Sequence, residues 1–139
     1  MSRWQRPTID TKFHIDLQWW QSSQLDLRFY IREAMCSSCQ ADFGNLDDAE
    51  QIDWVDEVTG EVTTLDGVWQ ALRAHCVNEP NFIDATTPIV DAVFRTFLAN
   101  GNQPLSIVEL HALLDRRSPE TLLRMLIGGQ VYLGIRPVL

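Results

Sequence analysis

Lysine is almost missing from this chain: Lys12 is the only one in 139 residues, and arginine supplies the rest of the positive charge. Eleven basic residues against nineteen acidic ones leave a formal charge of −8. That balance excludes broad nonspecific nucleic-acid binding, which depends on neutralising phosphates with Lys and Arg. Long apolar runs are missing too. No stretch approaches the roughly 20 consecutive apolar residues that span a bilayer, and residues 1–12 hold no apolar segment of the kind a secretory leader needs. A soluble, cytoplasmic protein without a membrane partner is expected, and in that setting the three cysteines stay reduced. Catalytic groups are sparse as well. His14, His75 and His111 are scattered, and no Gly-rich phosphate loop or G-x-S-x-G elbow occurs. The acidic run Asp47-Asp48-Ala49-Glu50 reads as a solvated surface, so no enzyme is expected.

What is present is unevenly placed. Residues 1–86 carry six basic residues against fifteen acids, while residues 87–139 carry five arginines against four acids. All five tryptophans, Trp4, Trp19, Trp20, Trp54 and Trp69, fall in the front part. The length allows one domain, or two small ones sharing a core. No Gly/Ser-rich linker, repeat or low-complexity tract separates 1–86 from 87–139, so the two are expected to pack into one compact body.

The C-terminal part has the clearest punctuation. Thr87-Pro88 predicts a capped helix start, and Ile89, Val90, Val93, Phe94, Phe97 and Leu98 form an apolar stripe that ends at Asn100-Gly101-Asn102. Ser106-Ile107-Val108-Glu109 is a capping-box pattern that opens a second helix through Leu110 and Leu114. Ser118-Pro119-Glu120 opens a third, with Leu122, Leu123, Met125, Leu126 and Ile127, which stops at Gly128-Gly129. Val131 to Arg136 then reads as a strand. A helix, a helix–turn–helix and a β element in that order resemble a winged-helix domain over about 50 residues, in architecture and without a diagnostic motif. Winged-helix folds serve as DNA readers in some families and as protein-docking modules in others.

In the front part, Lys12 to Asp16 alternates like a short strand with Phe13 and Ile15 on one face, and Asp16 caps a turn containing Trp19-Trp20. Leu25 to Cys36 reads as a helix with Leu27, Tyr30, Ile31 and Ala34 inward. Ile52–Asp56 and Glu61–Thr63 read as a hairpin around Gly60, which supplies a positive φ. Thr64 then caps a helix in which Leu65, Val68, Trp69, Leu72 and Cys76 line one face. The fold class is mainly α with small β elements: a winged-helix-like C-terminal unit packed on a helical N-terminal unit with one hairpin.

Three constellations could carry function. Cys36 and Cys39 form a CxxC at one helix end, and His75-Cys76 sits at another. Together they offer thiolate and imidazole ligands for Zn²⁺ or an iron–sulfur cluster. Against that, adjacent helical residues diverge by about 100° and rarely reach one ion, and Cys76 continues an apolar stripe. The expectation is therefore inert thiols and no cofactor, with Zn or an iron–sulfur cluster as the alternative and a redox CxxC, which lacks a βαβ context here, as the least favoured reading. The Trp19-Trp20 pair cannot point inward on both sides, which places one of them at an interface. The third helix presents Arg117, Thr121 and Arg124, with Arg116 and Arg136 nearby in sequence, as candidate DNA contacts. The expected protein is a small regulatory or adaptor protein acting through contacts with a protein partner or with itself as a homodimer. The alternative is a transcription regulator that places the winged-helix-like unit on duplex DNA, with a Zn or iron–sulfur sensor site.

Overall fold

The alternating run at Lys12–Ile15 forms strand β1, which turns Phe13 and Ile15 onto one buried face as its period of two requires. The computed structural model of the chain describes residues 6–42, 51–55 and 62–138, with the backbone alone for 51–55 and 62–66. Within them the protein is mainly helical with small antiparallel β elements, and no helix is long and apolar enough to cross a membrane.

β1 is the centre of a three-stranded antiparallel sheet, flanked by β4 (Leu105–Ser106) and β5 (Ile135–Pro137), with Phe13 opposite both Leu105 and Pro137. The helices of this unit follow from their caps. Asp16 accepts from Gln18 N and Trp19 N to open α1 (Leu17–Ser22). α5 (Ile89–Ala99) buries Val93, Phe94, Phe97 and Leu98 at three- and four-residue steps. α6 (Ile107–Leu114) carries the expected capping box, Ser106 with Glu109, and α7 (Pro119–Ile127) starts from the Ser118 side chain. Asn102 fastens the connection after α5 to β1, donating to Ile15 O at 2.9 Å and accepting from Ile15 N at 2.8 Å.

Two local expectations change here. Thr87 does not cap α5: Pro88 takes the N-cap position without a side-chain bond, and Thr87 is buried with its carbonyl accepting from Arg116. The strand expected over Val131–Arg136 is confined to Ile135–Pro137, because Leu133 and Gly134 adopt positive φ of 53° and 74° and turn the chain just before it.

The other unit runs from Leu25 to Thr86. Here the helix expected over Leu25–Cys36 is shorter, and a second helix follows it. Asp26 accepts from Arg28 N and opens α2 (Leu27–Glu33), the chain tightens at Ala34, and α3 (Ser37–Asp42) follows. Strands β2 (Gln51–Val55) and β3 (Val62–Asp66) pair antiparallel with Val55 opposite Val62. The turn around Gly60 lies outside the described residues. Thr64 and Leu65 belong to β3 rather than to a helix start, so α4 begins at Gly67 and runs to Ala74, burying Val68, Trp69 and Leu72.

The boundary between residues 86 and 87 is kept, and a second falls after Gln24. The segment up to Gln24 belongs with Thr87–Leu139, because β1 supplies the central strand between β4 and β5.

Candidate metal centre

Each of the four candidate ligands sits where a helix begins or ends. Cys36 stands at the mouth of α3, its carbonyl accepting from Gln40 N at 2.9 Å, and Cys39 lies inside the first turn of that helix. Gln40 Nε2 donates to Arg32 O at 3.1 Å and fastens α3 to the end of α2. On the other side, α4 closes with His75 N donating to Ala71 O. His75 itself has φ −129° and ψ −57°, and Cys76 opens a short 3-10 helix, Cys76–Asn78. The backbone has left the α-helix between these neighbours, so the 100° divergence of adjacent helical side chains does not apply to them.

Their ligand atoms all lie within 4.8 Å of one another. His75 Nδ1 is 3.3 Å from Cys36 Sγ and 3.5 Å from Cys39 Sγ, and Cys36 Sγ is 3.6 Å from Cys76 Sγ. A tetrahedron with metal–sulfur bonds of about 2.3 Å and a metal–nitrogen bond of about 2.0 Å has edges of about 3.8 Å between sulfurs and about 3.5 Å between nitrogen and sulfur. The three distances fall close to those edges. Cys39 and Cys76 are buried, Cys36 is half-buried and His75 exposed.

The surroundings treat the sulfurs differently. The Ser38 hydroxyl, 3.4 Å away, and the Cys39 backbone N–H hold the Cys36 thiol well below its ordinary value, at about 6. Burial pushes Cys39 up to about 12, and the neighbouring sulfurs of Cys76 and Cys36 add to the rise. Burial also pushes Cys76 up, although the Cys36 backbone N–H reaches its sulfur at 3.3 Å. Gathering three thiolates at this spacing therefore costs free energy unless a cation neutralises them, and a dication does so while displacing their protons.

Sequence reasoning overlooked Glu79, whose Oε1 lies 4.0 Å from His75 Nε2, the ring nitrogen not turned toward the sulfurs. The four-residue step from His75 was the available clue. The CxxC expected at a helix end is split in exposure, with α3 burying Cys39.

The candidate DNA contacts each have their own local setting. Arg116 donates to Thr87 O, Arg136 pairs with Asp16 at 3.1 Å, and Arg124 reaches the Thr121 hydroxyl at 3.4 Å, which itself bonds Ser118. Arg117 is exposed. Of the tryptophan pair, Trp20 is buried and donates from Nε1 to Leu133 O at 3.0 Å, and Trp19 meets it edge-to-face at 5.2 Å while remaining half-buried.

Compared with protein-family models, with curated proteins and with solved structures, the chain matches none of them.

Proposed function

We propose that the Leu25–Thr86 unit holds one Zn²⁺ through Cys36, Cys39, Cys76 and His75 Nδ1, and that the ion is structural. The observation that carries this is that four donors drawn from two helix ends lie within 4.8 Å of one another, three of their separations, 3.3, 3.5 and 3.6 Å, being close to the edges of a zinc tetrahedron. Four protein ligands close the coordination sphere and leave no position for a substrate, which is the pattern of a structural and not a catalytic site. A [4Fe–4S] cluster fits less well, because each of its four ligands binds a different iron and the donors must stand further apart than around one ion. Elemental analysis of protein purified without added metal should give one zinc per chain. Less than a tenth of an equivalent, or an iron–sulfur absorption band, would remove the reading.

For the chain as a whole we infer a regulatory or adaptor role exercised through protein contacts, with the zinc holding one unit in its binding shape. We read the other unit as winged-helix-like. In its favour, α5, β4, α6, α7 and β5 follow in that order, with β4 and β5 on either side of β1. Exposed Val108 and Leu113 on α6 favour a protein partner. Arginines engaged within the fold, and a charge of −8, disfavour DNA. Binding of duplex fragments that weakens steeply with salt would reverse that preference.

A further inference from the structure

Given the zinc site proposed above, its three sulfurs are open to different chemistry. Cys39 and Cys76 are buried, and Cys36 alone among them is half-exposed. Cys76 Sγ is additionally covered by the Cys36 backbone N–H at 3.3 Å. A small oxidant arriving from solvent therefore meets Cys36 first, since attack on a thiolate follows its accessibility. The sulfur best placed to finish the reaction is that of Cys76, which lies 3.6 Å from Cys36 Sγ although the two residues are 40 positions apart. A disulfide requires that gap to close to a bond of about 2.05 Å.

We propose that Cys36 is an oxidation site at which a hydroperoxide converts the zinc-tied unit into one tied by a Cys36–Cys76 disulfide, with release of the ion. In the first step the Cys36 thiolate attacks one oxygen of hydrogen peroxide. An S–O bond forms, the O–O bond breaks, and hydroxide leaves, so Cys36 becomes a sulfenic acid. In the second, the Cys76 thiolate attacks the Cys36 sulfur, the S–S bond forms, the S–O bond breaks and a second hydroxide leaves. Two electrons pass from the sulfur pair to the peroxide, and the two hydroxides are neutralised to water by protons from the buffer. Zinc keeps only Cys39 and His75 and dissociates. The disulfide joins the mouth of α3 to the segment after α4, the same two places that the ion joined. Loss of the metal by this route therefore keeps the unit closed, whereas a bond between Cys36 and Cys39 would leave the two segments untied.

The test uses the full chain with its zinc counted beforehand. One equivalent of hydrogen peroxide is added, released zinc is followed with a chromogenic chelator, and the disulfide is mapped by peptide mass spectrometry without reduction. The expected result is close to one zinc released per peroxide consumed, a Cys36–Cys76 crosslink, a brief sulfenic label on Cys36, and recovery of the zinc form with dithiothreitol and zinc. Zinc retained after a tenfold excess of peroxide would overturn the proposal and leave the structural zinc intact. A crosslink to Cys39, or Cys36 accumulating as sulfinic acid, would overturn it as well. Protein that carries no zinc before peroxide is added sinks both readings, and is recognised at that first count.

Discussion

His75 Nδ1 stands 3.3 Å from the sulfur of Cys36, a residue 39 positions earlier in the chain. The contact exists because α4 has already ended at Ala74, which frees the imidazole to turn toward the mouth of α3. Cys76, the next residue, reaches the same place from the start of a 3-10 helix.

Cys39→Ser should then unfold or strongly destabilise the Leu25–Thr86 unit. Structural zinc in small units contributes binding free energy of order 10 kcal/mol to folding, and a serine hydroxyl is a poor replacement ligand. Circular dichroism melts of the variant should coincide with those of the wild type treated with a strong chelator. A change within about 0.5 kcal/mol, the size of a neutral surface substitution, would identify Cys39 as an inert thiol.

Glu79→Gln is a gentler probe. Oε1 lies 4.0 Å from Nε2, beyond hydrogen-bond distance, so a small movement must bring the carboxylate onto the Nε2 proton once Nδ1 holds the ion. Zinc affinity, measured by chelator competition, should fall about tenfold, at the low end for an outer-shell partner, with the fold kept at saturating zinc. Unchanged affinity would show that the ring is fixed by other contacts.

In the sheet-containing unit, Gly134→Ala tests why the chain turns before β5. Gly134 has a φ of 74°, and a Cβ there would lie 2.6 Å from Trp20 Nε1 and 3.1 Å from the Trp19 ring. Strain at a positive φ and displacement of a buried, hydrogen-bonded indole together should cost about 1–3 kcal/mol. Near-ultraviolet dichroism should change with it. A stability equal to wild type would mean that the Trp19-Trp20 pair does not pack on this turn.

Acid should weaken the same unit through Glu109. Its carboxyl is held at about 2, below an ordinary value of 4.5, first by the Lys12 ammonium and then by the Ser106 backbone N–H. A depressed carboxyl stabilises the fold fully above its unfolded value and loses that contribution as the pH falls from about 4.5 toward about 2. Both partners are exposed, so the effect is small and screened by salt. Glu109→Gln should flatten the acid limb of stability against pH in that window and leave neutral pH little changed.

The parts of the fold legible in the sequence are those that local chemistry decides. Ser106 with Glu109, Ser118 with Pro119, and the alternation of Phe13 and Ile15 each act within a few residues, and each appears where expected. The break at Ala34 was not legible, because Leu25 to Cys36 keeps helical spacing across a stop set by the turn bonds of Ala34 and Met35. Nor did spacing reveal that β1 would pair between β4 and β5, since pairing with strands about 90 residues or more away leaves no local trace. The four ligands were found as residue types. What the sequence withheld was the unwinding at His75, a backbone angle that no periodicity encodes.

Zinc K-edge X-ray absorption on the purified full chain tests the central claim most directly, because it counts ligands by element and distance. The account expects one zinc per chain with three sulfurs at about 2.3 Å and one nitrogen at about 2.0 Å. A first shell made of oxygen and nitrogen alone, or fewer than three sulfurs, would contradict a site built from Cys36, Cys39, Cys76 and His75.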